Sequence, residues 1–494
     1  MNTPSVEAVP SVQARAAIGQ PAWLWCAVAV TAFHVAYLVP ALAFLMFFFL
    51  YALVRLAEVR SARQAFYGGF LVGVACYGPQ LWFFWGIFRY VAGALWAVAG
   101  IWIGFFVLIT WGLRQVPGIR RWAWAAALPA VWMGLEYFRC ELYYLKFAWL
   151  TPGLAFGDTW LVSTLGVYGT GFVVAAAAAL AACLPRFRHL WVAGLLLAIL
   201  ALLANVRPRI YETESARVQR VVGIQQEEAS STQIIDALDT AVSKYPDVAL
   251  LVMSEYTLSS PPTAEIRAWC RRHERYLIIG GIQPLTPLPN GKEQWADTAF
   301  VIDPKGDIVF TQGKCVPIQF FDDGVPAKEQ QLWQSPWGKV GICICYDLSY
   351  SRVTDELIRQ GADILIVPTM DAISWGAYEH NLHARIAPAR AAEYHVPIIR
   401  VASSGISQII CKNGTVSAPF PGQGAMLTAQ PLGLSLGRAR IPPDRHLAPV
   451  CVGLTALLAA GLLGRHYWPR RWRYSSRTEE KDGNRGTPPS VSSW

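Results

Sequence analysis

From residue 22 the chain alternates long apolar stretches with short basic interruptions until about residue 205, and only then takes on the mixed polar and apolar texture of an ordinary folded domain. A membrane-crossing helix needs roughly 17–25 mainly apolar residues. The interruptions lay out candidate spans near 22–36, 38–54, 65–88, 91–113, 122–137, 160–184 and 190–205, and a last one over 447–464. Residues 22–54 are one uncharged run, too long for a single span and tight for two, with Pro40 near the expected turn. Merging the two would invert the orientation of everything that follows. Between the seventh and eighth spans the period changes. Strand-like runs (Val221–Gln225, Val248–Met253, Tyr276–Gly280, Ala299–Ile302, Val340–Cys345, Ile364–Val367, Ile398–Ala402) alternate with helix-like ones (Thr232–Lys244, Ala264–Glu274, Val353–Gln360, Glu379–Tyr394), which predicts an α/β domain over 206–445.

Basic residues give the bundle a direction. Three alternate loops hold Arg55, Arg60 and Arg63; Arg114, Arg120 and Arg121; and Arg186 and Arg188, whereas the opposite loops hold only Arg89, Arg139 and Lys146. Short loops rich in Lys and Arg stay in the cytoplasm, so both termini are expected inside and the α/β domain outside, in the periplasm if the cell is Gram-negative. The segment 1–21 and the tail 465–494 are then cytoplasmic. The tail opens with Arg465, Arg470, Arg471 and Arg473 and is polar and partly disordered from Ser475 by composition.

Composition supports a membrane protein: 54% of the 494 residues are hydrophobic and only 15% charged. The net charge of +9 sits largely in loops and a tail beside apolar runs, where topology accounts for it and a nucleic-acid partner is not called for. Ten cysteines form no CxxC pair and no readable disulfide framework. A cleaved signal peptide is not expected, because further spans follow the first apolar run directly and Arg15 is its nearly solitary basic flank.

Three polar residues at or near strand ends stand out in the α/β region: Glu255 after Asp247–Ser254, Lys314 in Thr311–Pro317, and Cys345 in Lys339–Asp347. A thiol attacks well only as thiolate. A carboxylate base within reach and a nearby cation would activate Cys345 and stabilise the oxyanion formed on attack. Cys343, two residues away on the expected strand, reads as a core residue. His380 and His383, three apart on an expected helix, suit a structural or substrate-lining role better than a metal site, since no third ligand is placed. Glu136 and Arg139 lie one helical turn apart and read either as an intramembrane ion pair or as a headgroup contact.

The ordered set Glu255, Lys314 and Cys345, with Cys-Tyr-Asp at 345–347 and Gly361–Pro368 following, resembles the carbon–nitrogen hydrolase (nitrilase) superfamily. Leu135–Arg139, Phe147–Trp149, Leu165–Gly169, the run Arg390–Glu393 and Ser404–Ser407 are similar to the apolipoprotein N-acyltransferase family. The resemblance implies an αββα sandwich on the outer face of a multi-pass bundle. It also implies Glu255 as general base, Lys314 as oxyanion partner and Cys345 as nucleophile. The implied reaction is ping-pong: a fatty acyl chain passes from a phospholipid to a Cys345 thioester, then to the N-terminal amine of a diacylglyceryl-cysteine lipoprotein, with no cofactor or metal. Trp375, His383, Trp149 and Ser404 are the candidate substrate contacts.

The chain departs from the family's pattern at three places. Ser254 stands where Pro usually precedes the base, and Cys-Tyr-Asp replaces Cys-Tyr-Glu. After Lys314 the text Cys315–Asp323 replaces the usual His-Leu-Val-Pro-Phe-Gly-Glu, so the second carboxylate would fall on Asp322 or Asp323. Two other readings follow from the same residues: a membrane-tethered amidase or nitrilase-type hydrolase with water as acceptor, and an inactive relative that only binds.

Overall fold

The computed structural model describes residues 21–467 apart from 185, 208–211, 214–218, 228, 412–413, 419–423, 433–434 and 437–438. The segment 1–20 and the tail from 468 lie outside the described residues.

Helices occupy 22–203 and 444–467. Two of them, Val91–Arg114 and Asp444–Arg465, are long and apolar enough to cross a membrane; Ala22–Leu38, Pro40–Leu56, Val167–Cys183 and Trp191–Leu203 are apolar but shorter. The uncharged run at 22–54 breaks where the sequence suggests, with a helix to Leu38, a 3₁₀ segment Pro40–Leu45 and a second helix Met46–Leu56.

Two expected spans are broken instead of continuous. The helix expected over 65–88 runs from Ala62 only to Gln80, with a separate short helix Phe84–Phe88. Pro79 lies in its last turn and, lacking an N–H, leaves the Ala75 carbonyl unbonded within the helix; His34 Nε2 bonds it instead at 3.0 Å. The helix expected over 160–184 splits into Trp160–Leu165 and Val167–Cys183 at Gly166, whose φ of +84° suits glycine. A Cβ there would also collide with the Asp444 carboxylate. Asp444 Oδ2 accepts from Tyr168 N at 2.9 Å and Gly169 N at 3.1 Å, so the start of one helix is capped from the start of another.

The α/β part holds two six-stranded sheets. The first runs in the order Met426–Leu432, Gln219–Ile224, Val248–Met253, Tyr276–Leu285, Gln294–Ile302, Ile308–Gly313; the second runs Gly414–Ala418, Ser407–Cys411, Ile398–Ala402, Ile364–Thr369, Gly338–Ile342, Leu332–Ser335. The central strands of each are parallel, buried, and rich in Val, Ile and Leu, as parallel strands covered on both faces are. Outside the first sheet, Ser231–Lys244 and Ala264–His273 bury Ile234, Leu238, Ile266 and Trp269 against it. Ser230 and Gln233 close a capping box at the first of these helices. Val353, Leu357 and Ile386 belong to the core cluster that includes the second sheet. The layers are therefore α, β, β, α.

Three local readings need correction. The strand expected to end at Cys345 ends at Ile342, so Cys343 and Cys345 do not share a strand face; Cys343 is fully buried and Cys345 opens a 3₁₀ turn, Cys345–Ser349. The helix expected over Glu379–Tyr394 is two, Ala377–His383 and Ile386–Tyr394. The strands Ile308–Gly313, Leu332–Ser335, Ser407–Cys411, Gly414–Ala418 and Met426–Leu432 lie outside every strand expected from the sequence.

Polar contacts tie the helical part to the sandwich. Val167 N donates to Glu393 Oε1 at 2.7 Å, Trp149 Nε1 to Ser349 Oγ at 2.9 Å, and the Tyr350 hydroxyl to the Lys146 carbonyl at 3.1 Å. Arg445, at the head of the last helix, reaches Asp355, Glu393 and Asp444 together.

Candidate functional site

The C-terminal ends of the parallel strands converge on one place, the usual location of ligands in open α/β sheets. Val248–Met253 delivers Glu255, Gly338–Ile342 delivers Cys345, and Ile364–Thr369 delivers Asp371. The antiparallel Ile308–Gly313 delivers Lys314. Cys345 sits at φ +50° and Tyr256, beside Glu255, at φ +49°; such left-handed conformations in non-glycine residues are strained and cluster at functional sites.

The three residues singled out from the sequence are brought together. Lys314 Nζ lies 2.7 Å from Glu255 Oε1 and 2.7 Å from Asp323 Oδ2, with Asp297 Oδ2 at 3.5 Å. Glu255 Oε2 accepts the Met370 amide at 2.6 Å, and Cys345 Sγ lies 3.7 Å from the Met370 carbonyl oxygen. Burial works against the Glu255 charge, but Lys314 first and Asp297 next hold its carboxyl below the usual range. Burial likewise opposes the Lys314 charge, and Glu255, Cys345, Asp297 and Asp323 together overcome it, so that the ammonium persists. The Cys345 thiol is pushed well up by burial and by Glu255, against the pull of Lys314. The resting state is thus a thiol beside an ionised carboxylate and a cation. That arrangement can transfer the thiol proton to Glu255 at the moment of attack and meet the developing oxyanion with Lys314.

Asp323 and Asp322 part company. Asp323 is buried, pairs with Lys314, and accepts from the Tyr256 hydroxyl at 2.6 Å and Ile318 N at 2.8 Å; Asp322 is exposed. Asp347, the shorter residue of Cys-Tyr-Asp, accepts from Cys315 N, Val316 N and Ile344 N at 2.7–3.1 Å, which locks the loop after Lys314 to the turn carrying Cys345. Its carboxyl is raised by burial to about 6, against those backbone donors.

Cys345 opens into a mainly apolar cavity between the helical part and the sandwich. Phe84, Phe88, Trp102 and Phe147 enter it from the helical part, and Phe320 and Trp375 from the sandwich. Of the candidate contacts, Trp375, Trp149 and His383 line this cavity, the last two stacked with ring centroids 4.5 Å apart. Ser404 is buried outside it. Its neighbour Ser403 braces the site: its Oγ accepts from Asp371 N and donates to the Asp371 carbonyl, both at 3.1 Å. His380 and His383 go separate ways, His380 to the Ala372 carbonyl and His383 Nδ1 to Asp371 Oδ1 at 2.7 Å. Asp371, Glu379 and His383 offer ligand atoms within 4.8 Å of one another, but Arg400, 2.7 Å from Asp371 Oδ2, already supplies a cation there. Asp371 is held well below the ordinary carboxylate range: burial opposes its charge, and Arg400 and His383 overcome it.

Arg139 forms no ion pair with Glu136. It donates to the carbonyls of Phe147 and Leu150 at 3.0 Å, fixing the loop that carries Trp149, and lies over the Tyr77 ring. Arg390 does the same for the turn carrying Cys345, donating to the carbonyls of Leu348 and Ser349 and to Glu393.

Asp297, Asp371, Glu379 and Arg400 were not singled out in the sequence. A charge inside the apolar strand Ile398–Ala402 signals Arg400, and Asp371 follows Ile364–Thr369 just as Glu255 follows Val248–Met253. Asp297 sits inside a strand whose extent was underestimated, and Glu379 carries no such signal.

Residues 22–180 match the family model described as apolipoprotein N-acyltransferase N-terminal domain, and residues 237–430 match carbon–nitrogen hydrolase. An apolipoprotein N-acyltransferase of Bdellovibrio bacteriovorus is 27% identical over 250 residues, 43% of this chain and 44% of that protein. Another, of Geobacter metallireducens, is 23% identical over 81% of this chain and 87% of its own length. This chain therefore spans less than half of the first relative and most of the second. A formamidase of Bacillus cereus is 28% identical over 27% of this chain and 45% of its own. Among solved structures, the nitrilase-superfamily protein Nit3 of Saccharomyces cerevisiae aligns at 16% identity and a TM-score of 0.36 over 44% of this chain and 93% of its own.

Proposed function

We propose that this chain, which belongs to the apolipoprotein N-acyltransferase family of the carbon–nitrogen hydrolase superfamily, moves a fatty acyl chain from a phospholipid, through a thioester on Cys345, to the N-terminal amine of a diacylglyceryl-cysteine lipoprotein. The observation that carries this reading is the junction of a Glu255, Lys314 and Cys345 cluster with an aromatic cavity built jointly by the helical part and the sandwich. Burying an acyl chain there returns about 0.8 kcal/mol per CH₂, which offsets its withdrawal from the bilayer. The formamidase match covers only part of the catalytic domain, so it favours the shared chemistry and not a soluble amide as substrate.

In the first half-reaction Glu255 takes the Cys345 proton, the sulfur adds to the ester carbonyl, and Lys314 holds the oxyanion. Collapse breaks the ester C–O bond, and Glu255 returns the proton to the departing lysophospholipid. In the second half the neutral acceptor amine adds to the thioester and gives a proton to Glu255, the C–S bond breaks with the departing sulfur beside Lys314, and Glu255 returns that proton to it, restoring the Cys345 thiol. Asp323 holds Lys314 in place.

The helical part, 22–205 with the last helix 447–464, is the multi-pass membrane bundle, with 206–445 as the catalytic domain on the outer face of the bacterial inner membrane. The asymmetric distribution of loop arginines supports that orientation. Initial rates with phospholipid and a synthetic diacylglyceryl-cysteine peptide, each varied against the other, test the mechanism. Parallel double-reciprocal lines are expected. Intersecting lines, or release of free fatty acid at the same rate without peptide, would replace the transferase by a ternary-complex enzyme or a tethered hydrolase.

A further inference from the structure

One acidic side chain in the cavity takes no part in the reaction as derived above. Glu379, on the helix Ala377–His383, is 1% exposed and lines the same cavity as Cys345 and Trp149. Neither of its carboxyl oxygens has a hydrogen-bond partner among the described residues. The groups around it are engaged elsewhere. His383 Nδ1, 3.7 Å from Oε1, bonds Asp371. His380 Nε2, 3.6 Å from Oε2, bonds the Ala372 carbonyl at 2.9 Å. Arg400 pairs with Asp371 and the Ile406 carbonyl. Buried polar atoms are almost always satisfied, and an exception beside a nucleophile points to a ligand that brings the missing donor.

Of the other carboxylates near Cys345, Asp297 lies 3.5 Å from Lys314 and does not line the cavity, and the rest are paired. Glu255 and Asp323 pair with Lys314, and Asp371 with Arg400 and His383. The reaction's second substrate is an α-amine, which at neutral pH is largely protonated, with an unperturbed pKa of about 7.7–8.0. As an ammonium it has donors but no lone pair for attack. We propose that Glu379 is the acceptor-amine subsite, receiving a hydrogen bond from the incoming α-ammonium and taking one proton from it, so that a neutral amine faces the Cys345 thioester. This assignment rests on the acyl-transfer reading given above.

The protons balance. The ammonium gives one proton to Glu379. The amine nitrogen then adds to the thioester carbonyl, its next proton passes to Glu255 as the C–S bond breaks, and Glu255 hands that proton to the departing sulfur, which restores the Cys345 thiol. Glu379 returns its proton to water when the neutral amide product departs. Burial and the neighbouring Asp371 raise the Glu379 carboxyl well above the ordinary range, against Arg400, and the positive charge of an ammonium docked beside it favours the ionised form that receives the proton.

The test separates the amine step from thioester formation. Purified protein is loaded with phospholipid, the acyl-enzyme is isolated, and its discharge is timed with a diacylglyceryl-cysteine peptide and with hydroxylamine, which is uncharged at neutral pH and needs no proton acceptor before attack. Glu379→Gln is expected to slow discharge by the peptide on the order of 10²-fold and discharge by hydroxylamine far less. Glu379→Asp, which keeps the carboxylate, is expected to recover part of the peptide rate, and it supplies the same comparison if the Gln variant fails to accumulate. Equal slowing with both nucleophiles, or an unchanged peptide rate, would overturn the assignment. An absence of acyl-enzyme in the wild-type protein would instead remove the acyl-transfer reading on which it rests.

Discussion

Asp322 and Asp323 are chemically identical neighbours with different environments, and they show what sequence can and cannot decide. The text after Lys314 locates an auxiliary carboxylate within two positions; choosing between them needs the turn at 318–323, where Phe320 adopts φ +70° and Asp323 reaches Lys314. Asp323→Asn is expected to lower the rate on the order of 10²-fold by loosening Lys314, whereas Asp322→Asn, exposed, is expected to change it little. Equal effects would contradict the geometry. The titration of Glu255 gives a second expectation. Its carboxyl is held below the usual value, so the ionised base survives as pH falls past about 4.3, and Lys314 keeps its proton on the alkaline side. Glu255 should therefore cost the acylation half-reaction rate only below that pH; an acid limb near pH 6 belongs to Asp347, and one that persists in Asp347→Asn would contradict the assignment. The same sign holds for stability: the Glu255 contribution is complete above the unfolded-state value and lost as pH falls through the lower folded one.

At the scale of elements, apolar periodicity located nearly every helix and the central parallel strands, because those carry long uniform runs. It failed where a single residue or a distant partner breaks the run. Gly166 and Pro79 interrupt stretches that hydropathy alone joins, and the antiparallel edge strands are too polar or too short to stand out. The turn carrying Cys345 reads as strand in the sequence because Ile342, Cys343 and Ile344 are all apolar. The break at Gly166 carries its own expectation. Asp444→Ala removes the acceptor for two helix-start amides and one of three carboxylates around Arg445. It should cost on the order of 2–4 kcal/mol, as the loss of a cap and a buried ion-pair partner does. Thermal unfolding in detergent measures it, and a loss below about 0.5 kcal/mol would mean the contact does not hold the last helix in place.

For the whole molecule, the order of polar and apolar regions made a helical part followed by an α/β domain legible from the start. The joint surface between them was not, because no local pattern says that Trp149 reaches Ser349 or that Val167 reaches Glu393. Those contacts make the cavity a property of both parts. Orientation is expected from the arginine counts: engineered cysteines at exposed positions in 210–440 should react with an impermeant reagent from outside intact cells, and cysteines after Arg465 should not. The reverse pattern would turn the active site to the cytoplasm. The central claim is the thioester. Intact mass of the detergent-purified protein after incubation with a phospholipid of defined acyl chain should rise by that acyl group, on Cys345, and return to the bare mass when the diacylglyceryl-cysteine peptide is added; Cys345→Ala should show no increment. An unchanged wild-type mass while acyl transfer proceeds, or an increment that persists in Cys345→Ala, would contradict it.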